Sequence, residues 1–225
     1  DLAFDILQQK RPKGDSRWII PLAGDWDFCW KRSPEVADWE KTARLAVPGC
    51  WQLQGVFDPP LYTNSRYPIA MDAPRVSAPP ADTNWTAWAY RNPVGLYKTT
   101  FTRPWRWLFR KTTLHFDGVS SAFFVRVNGK AVGYAEDSRL PSEFDLTPYL
   151  KWFGENTLEV EVYKHCDGTY LEDQDFWRLS GIFRDVYLVS ESKSAPFDLI
   201  VETRLSDDLK SASFTVRDEK GNVLK

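Results

Sequence analysis

The sequence predicts an all-β fold, an antiparallel β-sandwich or jelly roll, and three observations support this prediction. Short segments that alternate apolar and polar residues, or that are β-branched and aromatic, recur along the chain, as in "NTLEVEVYK" near residue 160. In "FFVRVNGKAVGYA", Asn128-Gly129 joins two alternating runs, which is typical of a two-residue type I′ hairpin. Helical periodicity is scarce, and strands do not alternate with helices, so a parallel α/β fold is not expected.

The predicted strands follow one another with short connections, except in one region. Between about residues 56 and 94 the chain is proline-rich and irregular, and loops of this length are usually functional or lie over a partner surface. The strand segments, in chain order, are "GDWDFCW" near residue 27, "VGLYKTTFTRP" near 98, "TTLHFDG" near 115, the hairpin near 127, "NTLEVEVYK" near 160 and "IFRDVYLVS" near 186.

A second β pattern begins near the carboxyl end. After "VYLVSESKSAPFDL" the sequence "LIVETRLSDDLKSASFTVRDEKGNVLK" reads as two strands and a turn. Two strands do not form a stable sandwich alone. The sequence therefore predicts a first domain over 1–195 and the beginning of a second β domain over 196–225, in a chain expected to be a fragment of a longer protein.

Composition narrows the class of partner. The 29 basic and 31 acidic residues give a formal net charge of −2, which leaves no basic surplus for a phosphate backbone, so nucleic acid is not expected. No apolar run approaches the roughly 20 residues that span a bilayer, so we expect no membrane partner and a soluble protein, cytoplasmic or periplasmic. The 11 Trp, 9 Tyr and 14 Phe residues could supply flat platforms for carbohydrate.

Cysteine and histidine spacing indicates no zinc or disulfide framework. Cys29, Cys50 and Cys166 lie far apart without a CxxC pair, so free thiols are expected. His115 and His165 lie in strand-like runs with no acid or cysteine at ligand spacing, so both are expected to be structural.

One stretch concentrates acids among large rings. "CDGTYLEDQDFWRLSGIFRDV", residues 166–186, contains five acids together with four aromatic residues. Carboxylates are costly to bury unless they are hydrogen-bonded, paired with arginine or bound to a cation. The stretch is therefore either a structural network, with Arg139, Arg178 and Arg184 as partners for acids such as Glu172, or part of a site for a polar ligand.

Several long motifs carry a family resemblance. The runs "VPGCWQLQGVFDPPLYTNSRYPI", "DSRLPSEFDL" and "DGTYLEDQDFWRLSGIFRDVYL" resemble the amino-terminal region of lactose-type β-galactosidases of glycoside hydrolase family 2, over about residues 20 to 190. The resemblance implies a jelly-roll β-sandwich of the galactose-binding-domain type, followed by an immunoglobulin-like sandwich and a catalytic barrel. The first twenty residues and "MDAPRVSAPPADTNWTAWAYR" depart from the family pattern.

The resemblance also implies an activity that this chain does not complete. Both catalytic glutamates of such enzymes belong to the barrel, so no catalytic residue is expected here and the chain alone should be inactive. The complete enzyme would hydrolyse terminal β-D-galactosides, with the remaining domains as partners and as a homo-oligomer. Alternatives are a stand-alone carbohydrate-binding module without catalysis, or an assembly domain that only buttresses subunits.

Four residues are assigned roles by the resemblance. Asn64 of "PPLYTN" would touch the galactosyl group, although its residue type alone favours a turn former. Asp175, the last acid of "EDQD", would reach the galactose site and help to bind sodium. Glu136 and Asp167 would contribute to a separate divalent site, for which oxygen ligands suit magnesium or calcium.

Overall fold

A computed structural model describes residues 16–55, 57–63, 92–172, 174–196 and 198–224. The chain divides into two compact units after Ser190, and the boundary predicted after residue 195 lies a few residues further along. The strands are β1 (Ile19–Pro21), β2 (Gly24–Lys31), β3 (Lys41–Val47), β4 (Tyr62–Thr63), β5 (Val94–Thr102), β6 (Lys111–Phe116), β7 (Val119–Ser120), β8 (Ala122–Val127), β9 (Lys130–Ala135), β10 (Ser142–Asp145), β11 (Glu155–Tyr163), β12 (Phe176–Trp177), β13 (Gly181–Ile182), β14 (Val186–Glu191), β15 (Leu199–Leu205) and β16 (Ala212–Asp218).

Helical structure in the described residues is limited to short turns. One α-helical turn, α1, spans Thr169–Glu172. Three 3₁₀ turns lie at Trp51–Leu53, Trp105–Trp107 and Thr147–Tyr149. None of these elements has the length and apolar character that crossing a bilayer requires.

The first unit contains two sheets whose inner faces share one core. The larger sheet has the strand order β3-β2-β5-β11-β8-β9, with every neighbouring pair antiparallel, and the smaller has the order β1-β14-β6-β10. Phe116 of β6 and Phe144 of β10 both contact Phe123 of β8, with ring centroids 4.9 and 5.8 Å away. These contacts join the smaller sheet to the larger one, so the predicted β-sandwich is confirmed.

Local sequence pattern explains why these strands face the core as they do. In β11, Asn156, Leu158, Val160 and Val162 are buried, and the residues between them are only partly covered. Burying each large apolar side chain contributes about 1.5–3 kcal/mol, and alternation directs these side chains to one face. The largest fully buried side chains are Trp26, Trp30, Trp51, Trp107, Tyr97 and Phe28.

The predicted hairpin between β8 and β9 is confirmed. Asn128 and Gly129 have φ values of 53° and 76°, as a type I′ turn requires. The Asn128 side chain donates to the Tyr149 carbonyl at 2.9 Å and accepts from the Thr157 amide at 3.1 Å. These bonds fix the turn against the next strand of the same sheet.

The second unit, taken by itself, contains one antiparallel pair. Strands β15 and β16 pair from Leu199 with Asp218 to Leu205 with Ala212. The two strands and turn read from the sequence are therefore present. Their membership of an immunoglobulin-like domain stays a prediction.

Candidate functional site

The segment that follows Asp175 lies beside the strand that ends just before Asn64. Strand β12 pairs antiparallel with β4, with Phe176 opposite Thr63 and Trp177 opposite Tyr62. Asp175 immediately precedes Phe176, and Phe176 pairs with Thr63, which immediately precedes Asn64 in the sequence. Asn64 itself lies outside the described residues, whereas Asp175, Glu136 and Asp167 lie within them.

Asp175 presents its carboxylate at an exposed rim of the first unit. The Tyr62 hydroxyl donates to Asp175 Oδ1 at 2.5 Å across 113 positions of sequence. The rings of Tyr62 and Trp177 are 5.7 Å apart, and their side chains are 46% and 55% exposed. An exposed carboxylate beside two partly exposed rings can accept hydrogen bonds from a polar ligand whose apolar face stacks on an aromatic surface.

A buried network supports this rim from beneath. Asp58 has a fully buried side chain, and it accepts from Trp51 Nε1 at 2.5 Å and from Gln52 Nε2 at 3.1 Å. Lys164 Nζ, which follows β11, lies 2.5 Å from Asp58 Oδ2. Sequence reasoning missed Asp58 and Lys164, because they are 106 positions apart and only the fold brings them together.

Hydrogen bonds extend the network to Ser180, which follows β12. Gln52 Oε1 accepts from the Ser180 amide at 2.9 Å, and the Trp51 amide donates to the Ser180 carbonyl at 3.1 Å. Directly after β12, the Arg178 amide donates to the Leu61 carbonyl at 2.6 Å. The chain before β4 and the segment after β12 are thus joined by backbone and side-chain hydrogen bonds.

Arginine side chains cover Phe176, the neighbour of Asp175. Arg178 Cζ lies 4.8 Å and Arg139 Cζ 5.2 Å from the centre of the Phe176 ring. An arginine partner was expected for Glu172, and the structure corrects this: among the described residues, Glu172 accepts from the amide and the hydroxyl of Ser138, at 2.9 and 2.5 Å. Each oxygen of the Glu172 carboxylate therefore has a hydrogen-bond donor from one nearby serine, and no arginine within the described part of the chain is needed to pair with it.

A small cavity lies behind the rim. Its volume is about 30 Å³, enough for about one water molecule and too small for a sugar ring. Burial, together with the positive charges of Lys164 and Arg178, holds the pKa of His165 well below its usual value. His165 is therefore neutral near pH 7. Because the cavity is too small for a sugar ring, a sugar could be contacted only from the exposed side of the rim. The cavity lining includes Ser121, Arg139, Lys164, His165, Phe176 and Arg178.

The two residues predicted for a divalent site, Glu136 and Asp167, lie close together, and Cys166 lies beside them. Glu136, Asp167 and Cys166 place one ligand atom each within 4.8 Å of one another. The two carboxylates fit a hard cation such as magnesium, but the Cys166 sulfur does not, because magnesium takes oxygen ligands in near-octahedral geometry. The donor set is therefore only partly the one that the sequence predicted.

Comparisons with known proteins agree with this architecture. Residues 19–192 match the family described as glycosyl hydrolases family 2, sugar binding domain. A β-galactosidase of Yersinia enterocolitica is 43% identical over 203 residues, which cover 87% of this chain and 18% of that protein. A β-galactosidase of Yersinia pestis biovar Antiqua, strain Angola, is 43% identical over 220 residues, covering 94% of this chain and 19% of the relative. The chain thus spans about a fifth of the length of these relatives.

Solved structures support the fold independently. A β-glucuronidase of an uncultured Clostridium species has a TM-score of 0.62 at 22% identity, covering 94% of this chain and 38% of that one. A β-glucuronidase of Bifidobacterium dentium, solved with coumarin-3-O-glucuronide, has a TM-score of 0.60 at 20% identity, covering 94% and 39%. At these identities the likeness concerns the fold alone. Because the family match covers most of the chain, the protein belongs to the sugar-binding domain family of the family 2 glycosyl hydrolases.

Proposed function

We propose that this domain forms one side of the galactoside-binding site of a β-galactosidase whose catalytic carboxylates lie in another domain. The observation that carries the proposal is the exposed Asp175 carboxylate, positioned at the rim by the pairing of β4 with β12. We choose a galactoside rather than another sugar because the relatives that share 43% identity with the chain are β-galactosidases.

The rim has the groups that a pyranoside needs. A carboxylate accepts from two sugar hydroxyls and ligates a hard cation, so Asp175 would bind the galactosyl group and contribute to a sodium site. The exposed faces of Tyr62 and Trp177 offer a surface for the apolar side of the sugar ring. Asn64 would add an amide donor and acceptor from the adjoining segment.

Catalysis would come from elsewhere in the enzyme. Retaining hydrolysis needs an acid/base carboxyl and a nucleophile about 5 to 5.5 Å apart across the scissile bond. The family resemblance assigns both to a barrel, so this chain alone would turn over no glycoside. The remaining domains, and the other subunits of a homo-oligomer, would complete the pocket. Glu136 and Asp167 would form a separate divalent-cation site.

Turnover in a complete enzyme that contains this domain tests the proposal. Asp175→Asn keeps the shape of the side chain but removes the charge, so we expect galactoside turnover to fall by about tenfold to a hundredfold. The remaining activity should no longer respond to added sodium. Asn64→Ala should lower turnover through lost hydroxyl contacts.

A matched control separates a sugar contact from a general effect of charge. Asp27 lies on β2 with a side chain that is 73% exposed, in a surface ion pair with Arg44. Asp27→Asn should leave turnover and its sodium response unchanged. Wild-type kinetics in both Asp175→Asn and Asn64→Ala would instead support an assembly domain that makes no sugar contact.

A further inference from the structure

Two neighbouring turns of the first unit expose large aromatic side chains. One turn connects β5 to β6 and the other connects β10 to β11. They emerge at the same end of the larger sheet, because Thr102 at the end of β5 pairs with Glu155 at the start of β11. Four rings on these turns, each between 58% and 81% exposed, form what we call the aromatic cluster: Trp105, Phe109, Trp152 and Phe153.

Direct contacts hold the two turns together. The Phe109 and Trp152 rings have centroids 5.5 Å apart, and Arg103 Cζ lies 5.7 Å from the centre of the Trp152 ring. The Arg103 guanidinium also donates to the Lys151 carbonyl at 3.1 Å. Phe109 has a φ of 66°, a conformation that is uncommon for a large residue and that clusters at functional sites. The exposed rings are therefore carried by turns that are fixed against each other.

Positive charge surrounds the aromatic cluster. The first turn, "RPWRWLFRK" at 103–111, has four basic residues and no acid, and the second, "TPYLKWFG" at 147–154, has one basic residue and no acid. Of the two acids that flank the second turn, Asp145 accepts from the Thr147 amide at 2.9 Å, and Glu155 begins β11. In a chain whose net charge is −2, this is a local excess of positive charge that attracts an anionic partner.

The arginines of the first turn keep donors for an anion. Arg106 Nε donates to the Arg17 carbonyl at 3.1 Å, and Arg103 donates to the Lys151 carbonyl. A guanidinium has five N–H donors in a fixed fork, so both side chains retain donors that can bind phosphate oxygens. The backbone contacts orient these two side chains without neutralising their charge.

We propose that this end of the first unit docks on an anionic phospholipid membrane, with the four rings among the headgroups and the basic side chains against lipid phosphates. Aromatic rings favour the membrane–water interface, and each basic residue near an anionic surface strengthens binding. Stable attachment to a membrane surface takes two such signals, and this surface carries both. The proposal departs from the expectation of no membrane partner, which rested on the absence of a spanning run, because docking on a surface needs no such run.

The arrangement of the rings favours a lipid surface over a carbohydrate. A sugar stacks on a flat aromatic face, but Phe109 and Trp152 are inclined at 62° to each other and offer no shared platform. Rings that protrude separately from two turns can each enter a headgroup layer, which imposes no fixed geometry on them. An acidic polypeptide would pair with the basic side chains, but exposed ion pairs contribute little and would leave the rings uncovered. These turns are not part of the Asp175 rim, so the proposal stands apart from the galactoside site.

Co-sedimentation with vesicles tests the proposal on the 225-residue chain. Vesicles of equal parts phosphatidylglycerol and phosphatidylcholine should bind the chain at least about tenfold more tightly than vesicles of phosphatidylcholine alone. Raising the salt from about 0.1 M to about 1 M should remove most of this difference, because the Debye length falls from about 10 Å to about 3 Å. A complete enzyme that contains this domain should bind the same vesicles.

Paired variants separate the contribution of the rings from that of the charges. Trp105→Ser with Phe153→Ser removes two exposed rings and should weaken binding to the anionic vesicles by at least about tenfold. Arg106→Glu with Lys151→Glu should weaken binding by at least about tenfold and should remove its salt dependence.

Matched controls lie elsewhere on the first unit. Trp177→Ser removes a ring that is exposed at the rim, and Lys130→Glu reverses an exposed charge on β9. Each should change vesicle binding by no more than about twofold, because neither residue belongs to the two turns.

Several results would overturn the proposal. Equal binding to neutral and anionic vesicles, wild-type binding by both paired variants, or binding by the 225-residue chain but not by the complete enzyme would each do so. Capture on immobilised polyglutamate without vesicle binding would assign the surface to an acidic polypeptide instead. If a paired variant does not fold, the wild-type chain decides: vesicles with brominated acyl chains should quench its indole emission, and unchanged emission would contradict insertion of the rings.

Discussion

Asp58 and Asp175 are two aspartates of one domain in opposite environments. The Asp58 side chain is fully buried and accepts from an indole, an amide and an ammonium group. Asp175 is exposed, and among the described residues only Tyr62 donates to it. The acceptor capacity of Asp58 is used within the fold, whereas Asp175 retains capacity for a ligand.

The difference in burial indicates that Asp58 stabilises the fold, whereas Asp175 is available to bind a ligand. A buried carboxylate that is fully hydrogen-bonded fixes the segments around it, because breaking any part leaves another charge or donor unpaired. An exposed carboxylate contributes little to stability, and its position matters through what it binds. We therefore expect substitutions at Asp58 and Asp175 to affect different measurements.

The largest expected effect is on the free energy of unfolding when Asp58 is truncated. Asp58→Ala leaves the Lys164 ammonium buried without its counter-charge, which should cost about 3–5 kcal/mol. Urea denaturation of the 225-residue chain measures the loss, with Asp27→Ala as the exposed control. Replacing Lys164 by Met in the Asp58→Ala background should recover part of it, since the unpaired charge is then removed. A loss below about 1 kcal/mol would place Asp58 among ordinary surface carboxylates.

The smallest expected effect is the change in the free energy of unfolding when Asp175 is substituted. Asp175→Asn should alter the free energy of unfolding by no more than about 0.5 kcal/mol, because the side chain is exposed and an amide oxygen can still accept from Tyr62. The measurement is the same urea series. A cost comparable to that of Asp58→Ala would remove the distinction between the two aspartates and make the rim part of the structural network.

The sequence predicts features that depend on neighbouring residues in the chain. The Asn128-Gly129 turn and the alternation of β11 are local, because turn geometry and strand period act over a few positions. Partners on neighbouring strands are not visible in this way. The sequence does not pair His115 with an acid, yet its Nδ1 lies 3.1 Å from Glu143 of the paired strand β10 and its ring stacks on Tyr187.

The same reasoning explains what was missed at the candidate sites. Cys166 is a free thiol, as predicted, but its proximity to Glu136 was missed because Glu136 belongs to another strand connection, 30 positions earlier in the sequence (166 minus 136). Asp58 lies in a proline-rich segment that resembles an irregular loop, and nothing local marks it as the partner of Lys164. Asp175 was placed by resemblance, and its partner Tyr62 became evident only from the β4–β12 pairing.

The most direct test of the account is a galactose titration of the 225-residue chain followed by nuclear magnetic resonance. The central claim is that the Asp175 rim contacts the sugar, so the Trp177 indole signal should shift with a Kd of about a millimolar or weaker, because only part of the pocket is present. Sodium should strengthen the binding, and Asp175→Asn should remove the shift. The indole of Trp105, which is 81% exposed on a separate turn, should not respond. No shift at Trp177, or an equal shift in Asp175→Asn, would contradict the account.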